Sequence, residues 1–147
     1  MSRLYRLSLA LLTCLALTGI SHAAEEEHLR IKIDGPLPPA RAEAIYNKIK
    51  RGMADGYAPA RDPIVKAYPR WHRHNKAPYL SDTHGNRYAN NFANAMATNA
   101  GYGRLKPSQR MPAGAVVVKD TFTVTPEGEV FPAAVFYMEK LAPGRSP

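Results

Sequence analysis

Cysteine is nearly absent: Cys14 is the only one in the 147 residues. It lies inside an apolar run, Leu7 to Ile20, that follows Arg3 and Arg6 and precedes Ser21-His22-Ala23. Basic, then apolar, then small residues read as a secretory signal peptide, residues 1–23, cleaved after Ala23. The run is short for a bilayer span, so no membrane partner is expected once it is removed. Cys14 follows Thr13 and sits far from the end of the run, which is not where a lipid-anchored cysteine belongs. Beyond residue 23 there is no thiol, which excludes disulfides and thiolate metal sites. Also missing are a Gly-rich phosphate loop, a His-Glu-x-x-His, an internal repeat and a nucleophile–base pair. Acidic residues are in deficit. Without Arg3 and Arg6 the 20 basic residues become 18 against 12 acidic, a net +6. A basic balance raises nucleic acid as a partner, but export argues against it and favours an acidic protein surface.

What is present is a long apolar hairpin, Met111 to Glu139. Side chains alternate faces along a strand, so Val116, Val118, Phe122 and Val124 share one face, and Lys119, Thr121 and Thr123 the other. Lys119 and Asp120 therefore point to opposite faces, and whichever turns inward needs a partner. Pro126-Glu127-Gly128 fits a three-residue hairpin loop, with Val124 opposite Val130 and Thr125 opposite Glu129. Pro132 has no N–H for a ladder and belongs at a sheet edge or a bulge. A hairpin alone is marginal in water, so the rest of the chain must cover it.

Residues 24–37 read as an extended N-terminal segment, and 38–147 as one small domain. Ala42, Ile45, Ile49 and Met53 recur at helical spacing after Pro39, and Gly56 is the expected stop. Tyr57 to Pro69 reads as a proline-punctuated loop. Trp71-His72-Arg73-His74, flanked by Lys66, Arg70 and Lys76, reads as a short basic strand anchored by tryptophan. Two histidines at i and i+2 lack a third ligand nearby, so no metal site is assigned. Gly85 to Ala89 reads as a short extended piece. Asn90 is the expected cap of a helix to about Asn99, because Tyr88, Phe92 and Met96 sit four apart. Helix, strand, helix, hairpin is an α+β order, with helices on one side of a mostly antiparallel sheet.

Three segments, in order, carry a resemblance: Ala77-Pro78-Tyr79-Leu80-Ser81-Asp82-Thr83-His84-Gly85-Asn86-Arg87-Tyr88-Ala89-Asn90, Met111 to Phe122, and Phe136-Tyr137-Met138-Glu139-Lys140-Leu141. Together they resemble the cytochrome P-460 family, over roughly half the chain (about Trp71 to Gly144). The resemblance implies an exported, periplasmic, mostly antiparallel β protein, often a homodimer, that carries haem c and exchanges electrons with a protein partner. Such proteins oxidise hydroxylamine or bind nitric oxide. Their haem is attached through a Cys-x-x-Cys-His near the C-terminus.

The sequence given stops at Pro147 without that motif or the strand before it. The expectation is a partial P-460-like domain, either an incomplete product or a short paralogue, to which no haem attaches through cysteine. The resemblance makes His84, Phe122, Phe136 and Met138 candidates for cofactor contact. Lys119 and Asp120 are candidates for proton transfer over the pocket. Each has a plainer reading: a loop histidine, core packing, or an Asp120 paired with an arginine. The alternative function is a haem-free exported binding or interaction domain that uses the sheet and the basic segment around Trp71.

Overall fold

The computed structural model describes residues 29–57 and 59–145, so the signal-peptide reading lies outside the described residues. Alternation sets the largest unit. β4 (Val116–Val124) and β5 (Val130–Glu139) form the expected hairpin, with Val124 opposite Val130. Thr125 N donates to Glu129 O at 2.9 Å, and Gly128 N to Thr125 O at 2.9 Å. Gly128 takes the left-handed turn position, φ +83°. It is also crowded, since a Cβ there would lie 1.7 Å from the carbonyl oxygen of Ile31. The crowding arises because the N-terminal segment crosses the turn. Ile31 N donates to Gly128 O and Val130 N to Leu29 O, and Arg30 bridges and ion-pairs with Glu129.

Pro132 stands where a missing N–H is tolerated. Asp120 faces Val135 and Phe122 faces Pro132, so Ala133 and Ala134 together oppose Thr121. This is a β-bulge on the outermost strand. Its carbonyls have partners: Thr121 Oγ1 donates to Ala134 O at 2.7 Å, and the Tyr57 hydroxyl donates to Ala133 O.

The sheet is antiparallel throughout. β3 (Arg87–Ala93) pairs with β4, while β1 (His72–Arg73) and β2 (Tyr79–Ser81) lie end to end along its other side. β3 corrects one expectation. Residues 87–93 are a central strand rather than the start of a helix, and Asn90 lies buried within it. Tyr88 and Phe92 do share a face. A spacing of four satisfies a strand of period two as well as a helix of period 3.6, and the β4 ladder decides between them. The helix that follows, α3 (Ala95–Asn99), has five residues and is capped by Asn94, whose Oδ1 accepts from Ala97 N at 2.9 Å.

α1 (Pro39–Tyr57) buries Ala42, Ile45, Tyr46 and Met53, with Ile49 packed beside them. It runs one residue past Gly56. The expected loop from Tyr57 to Pro69 holds a second short helix, α2 (Pro63–Ala67), and a 3-10 turn, Tyr68–Arg70. Asp62 Oδ1 caps α2 by accepting from Ile64 N at 2.7 Å, and Pro63 supplies the first helical residue. α1 and Tyr68 cover the sheet face made by Tyr88, Phe92, Val118 and Phe122. Burial of such a side chain contributes about 1.5–3 kcal/mol. Tyr88 stacks on Phe122 with ring centres 5.1 Å apart, and its hydroxyl accepts from Leu37 N at 2.6 Å. On the opposite face, α3 covers only one end, through Ala97 against Ala93 and Ala115. The rest of that face carries no helix among the described residues, although Ala89 and Thr121 on it are buried. The architecture is an open, mostly antiparallel sheet with a few helices, an α+β fold.

Candidate functional site

β4 separates two cavities, and alternation sends neighbouring side chains to different ones. On the open face the register sets Lys119 beside Phe136 and Val117 beside Met138. These four, with His84, Tyr102 and Tyr137, line a hollow of about 260 Å³. His84 arrives from the 3-10 turn Asp82–His84, which Gly85 ends in the left-handed conformation. Ser81 Oγ lies 2.8 Å and Thr83 Oγ1 2.9 Å from His84 Nδ1. Both hydroxyls use Nδ1, so Nε2 is the nitrogen left for a ligand. The His84 ring meets Phe136 edge-on, with centres 4.9 Å apart. Phe136, Tyr137 and Met138 are exposed, Met138 by 70%. Such a grouping of large apolar side chains on one strand is what a ligand or partner would cover.

On the helix face, Asp120 is the inward member of the Lys119–Asp120 pair, only 2% exposed. Its partners are not an arginine. Oδ2 accepts from the Tyr46 hydroxyl at 2.8 Å and the Tyr68 hydroxyl at 3.5 Å, and Oδ1 accepts from Asn90 Nδ2 at 3.0 Å. Burial pushes the Asp120 carboxyl above the usual carboxylate range, against the opposing pull of those hydrogen bonds and of the Arg73 charge. Burial, and then the Asp120 charge, push both phenols far above the ordinary tyrosine range, and Tyr57 up to about 12. All three tyrosines are therefore neutral donors near neutral pH. A second cavity of about 230 Å³ lies over Asp120, walled by Tyr46 and Tyr68, with Lys50 and Arg51 among its lining.

The polar network continues outward. Asn90 Oδ1 accepts from Asn75 Nδ2 at 3.1 Å and Arg73 at 3.5 Å. Arg73 also donates to Glu43 Oε1 at 2.8 Å, and its guanidinium lies 5.4 Å from the Tyr46 ring centre. Glu43 Oε2 is the one buried side-chain oxygen without a partner among the described residues.

The structure thus brings four of the six sequence candidates together: His84, Lys119, Phe136 and Met138. It places the other two, Asp120 and Phe122, on the opposite face, and Phe122 is fully buried in the core. Tyr46, Tyr68 and Asn90 are the partners of Asp120, a role that the sequence assigned to none of them; Asn90 was read there as a helix cap. Only Tyr46 had left a signal, one residue after Ile45 on the inward stripe of α1.

Among the described residues no three metal-ligating side chains cluster, and no helix is long and apolar enough to cross a membrane. Compared with known proteins, the chain matches no family model, no curated protein and no solved structure.

Proposed function

We propose that this is an exported P-460-like protein whose open sheet face takes a flat, partly apolar ligand of the haem class. The observation that carries the reading is the convergence of His84, Lys119, Phe136 and Met138 on one 260 Å³ hollow. The resemblance had named them one by one, without reference to a shared face: His84 precedes Lys119 by 35 residues, and Phe136 follows it by 17.

The residues fit such a ligand in part. Phe136 and Met138 would give haem an apolar contact surface, His84 Nε2 would be a nitrogen to hold it, and Lys119 would be a cation for a carboxylate substituent. Within the 147 residues the only cysteine is Cys14, so the contacts proposed here for these residues are non-covalent. Bound haem would supply an iron centre for one-electron chemistry or nitric oxide binding, as the resemblance implies. This chain's own contribution is positional. Ser81 and Thr83 fix the His84 ring through Nδ1, and the β4–β5 register sets the spacing of Lys119 and Phe136 and of Val117 and Met138. Asp120 lies behind the sheet and has no direct path to a ligand on the open face. Its role in this reading is to hold the scaffold.

The test is a titration of the exported protein with hemin, read by the Soret band. Saturation at one equivalent is expected, with H84A shifting the band and the double variant F136A/M138A weakening binding. Unsaturable uptake, or variants that bind like the parent protein, would rule the reading out.

A second reading is favoured by the edge strand. β5 ends the sheet order and exposes Phe136, Tyr137 and Met138. A haem-free interaction domain would use that edge to accept an extended segment of a protein partner, with the basic segment around Trp71 at the opposite edge of the sheet. Loss of partner capture on charge insertion at Met138, without any hemin response, would select this reading.

A further inference from the structure

His72 and His74 lie on the open face beside the hollow. β1 pairs antiparallel with β3, which sets His72 beside Ala93, and His74 N donates to Asn91 O at 2.8 Å. The residue between them, Arg73, points the other way, to Glu43. The two imidazoles stand edge to face with centres 4.5 Å apart. His74 is held from two sides. Its Nε2 lies 3.2 Å from Thr98 Oγ1, and its ring packs edge-on against Tyr102, with centres 5.0 Å apart. Its second nitrogen, Nδ1, is left for another partner. His72 is exposed, so its ring has room to turn.

The spacing is compatible with a chelate: with metal–nitrogen bonds of about 2.0 Å, and each ring centre about 1.2 Å behind its nitrogen, two imidazoles bound side by side on one ion have centres about 4.5 Å apart. No carboxylate or thiolate takes part, and two neutral imidazoles suit the divalent ion at the top of the stability order for nitrogen ligands, copper(II).

We propose that His72 and His74 form a two-imidazole site for copper(II), with water completing the coordination. The Arg104 charge is felt at His74 and opposes a bound cation there. The site is separate from the proposed haem contact at His84 and stands whether or not that reading holds.

Trp71, the only tryptophan, precedes His72 and gives a built-in reporter, because bound copper(II) quenches nearby indole fluorescence. Untagged exported protein is titrated with copper(II) chloride. Quenching that saturates at one equivalent is expected, with imidazole nitrogen couplings in the electron paramagnetic resonance spectrum. H72Q changes an exposed side chain and should leave the circular dichroism melt unaltered while weakening copper binding about tenfold or more. H74Q should do the same, and the double variant should abolish the nitrogen couplings. Absence of saturable quenching, or an H72Q protein that binds copper as the parent does, overturns the proposal.

Discussion

Tyr46 on α1 donates its hydroxyl hydrogen to Asp120 on β4 at 2.8 Å, across 74 residues of sequence. That bond ties the long helix to the centre of the sheet, and the 3-10 turn joins it through Tyr68. Asn90, from β3, completes the set, so three separated segments meet at one carboxyl.

Removing the acceptor should be costly. D120A leaves the Tyr46, Tyr68 and Asn90 donors facing an emptied, buried space. A loss of about 2–4 kcal/mol is expected. D120N keeps the shape and an acceptor oxygen, and either phenol can accept from the new amide, so its loss should be less than half as large. Urea unfolding of the three proteins checks the ranking. An alanine variant as stable as the parent would contradict it.

The same carboxyl gives a pH signature. Burial raises its folded pKa above 3.8, the ordinary value of an aspartate in an unfolded chain. The native state then binds the proton more tightly than the unfolded chain, so stability falls as pH rises from about 3.8 through the folded pKa, and is level above it. D120N should lack this component. The difference in unfolding free energy between the parent and D120N should therefore shift in favour of D120N as pH rises through that window. A difference that is flat from pH 3 to 8 would refute the assignment.

Gly128 serves the turn and the N-terminal crossing together. G128A puts a methyl group 1.7 Å from Ile31 O and also requires a positive φ of a residue with a Cβ. The expected cost is about 2–3 kcal/mol, with the Leu29–Ile31 segment released first. Amide exchange should show Ile31 and Val130 losing protection ahead of the rest of β4 and β5. Unchanged protection at Ile31 would contradict the crowding.

Asn94 holds α3 to the start of β4. Its Oδ1 accepts from Ala97 N at 2.9 Å and Val116 N at 3.2 Å, and its Nδ2 donates to Gly114 O at 2.9 Å. N94A should cost about 1–2 kcal/mol, while N94D, which keeps the acceptor, should recover more than half. Thermal melts of the pair give the comparison, and equal melts would show that the cap contributes nothing.

The hairpin was legible because its residues repeat with period two and Pro126-Glu127-Gly128 has turn chemistry of its own. α1 was legible from the stripe Ala42, Ile45, Ile49 and Met53. β3 was not. Ala89, Asn90, Asn91 and Ala93 are weak strand formers, and only pairing with β4 holds them extended, a tertiary effect with no local mark. α2 is a single capped turn, too short for any period to register. At the candidate site, alternation separated Lys119 from Asp120 but gave no sign of which faced inward. That was settled by tyrosines arriving from two other elements, a pairing invisible along the chain.

The crossing of Leu29–Ile31 over the hairpin turn bears on the order of assembly. Synthesis delivers these residues about a hundred positions before the turn they bind, since Arg30 and Glu129 are 99 apart. Their backbone bonds go to Gly128 and Val130, which present those groups only after the hairpin has closed. The first stretch of the described chain to be made is thus among the last to settle, and it waits as a loose tether until its far partner exists.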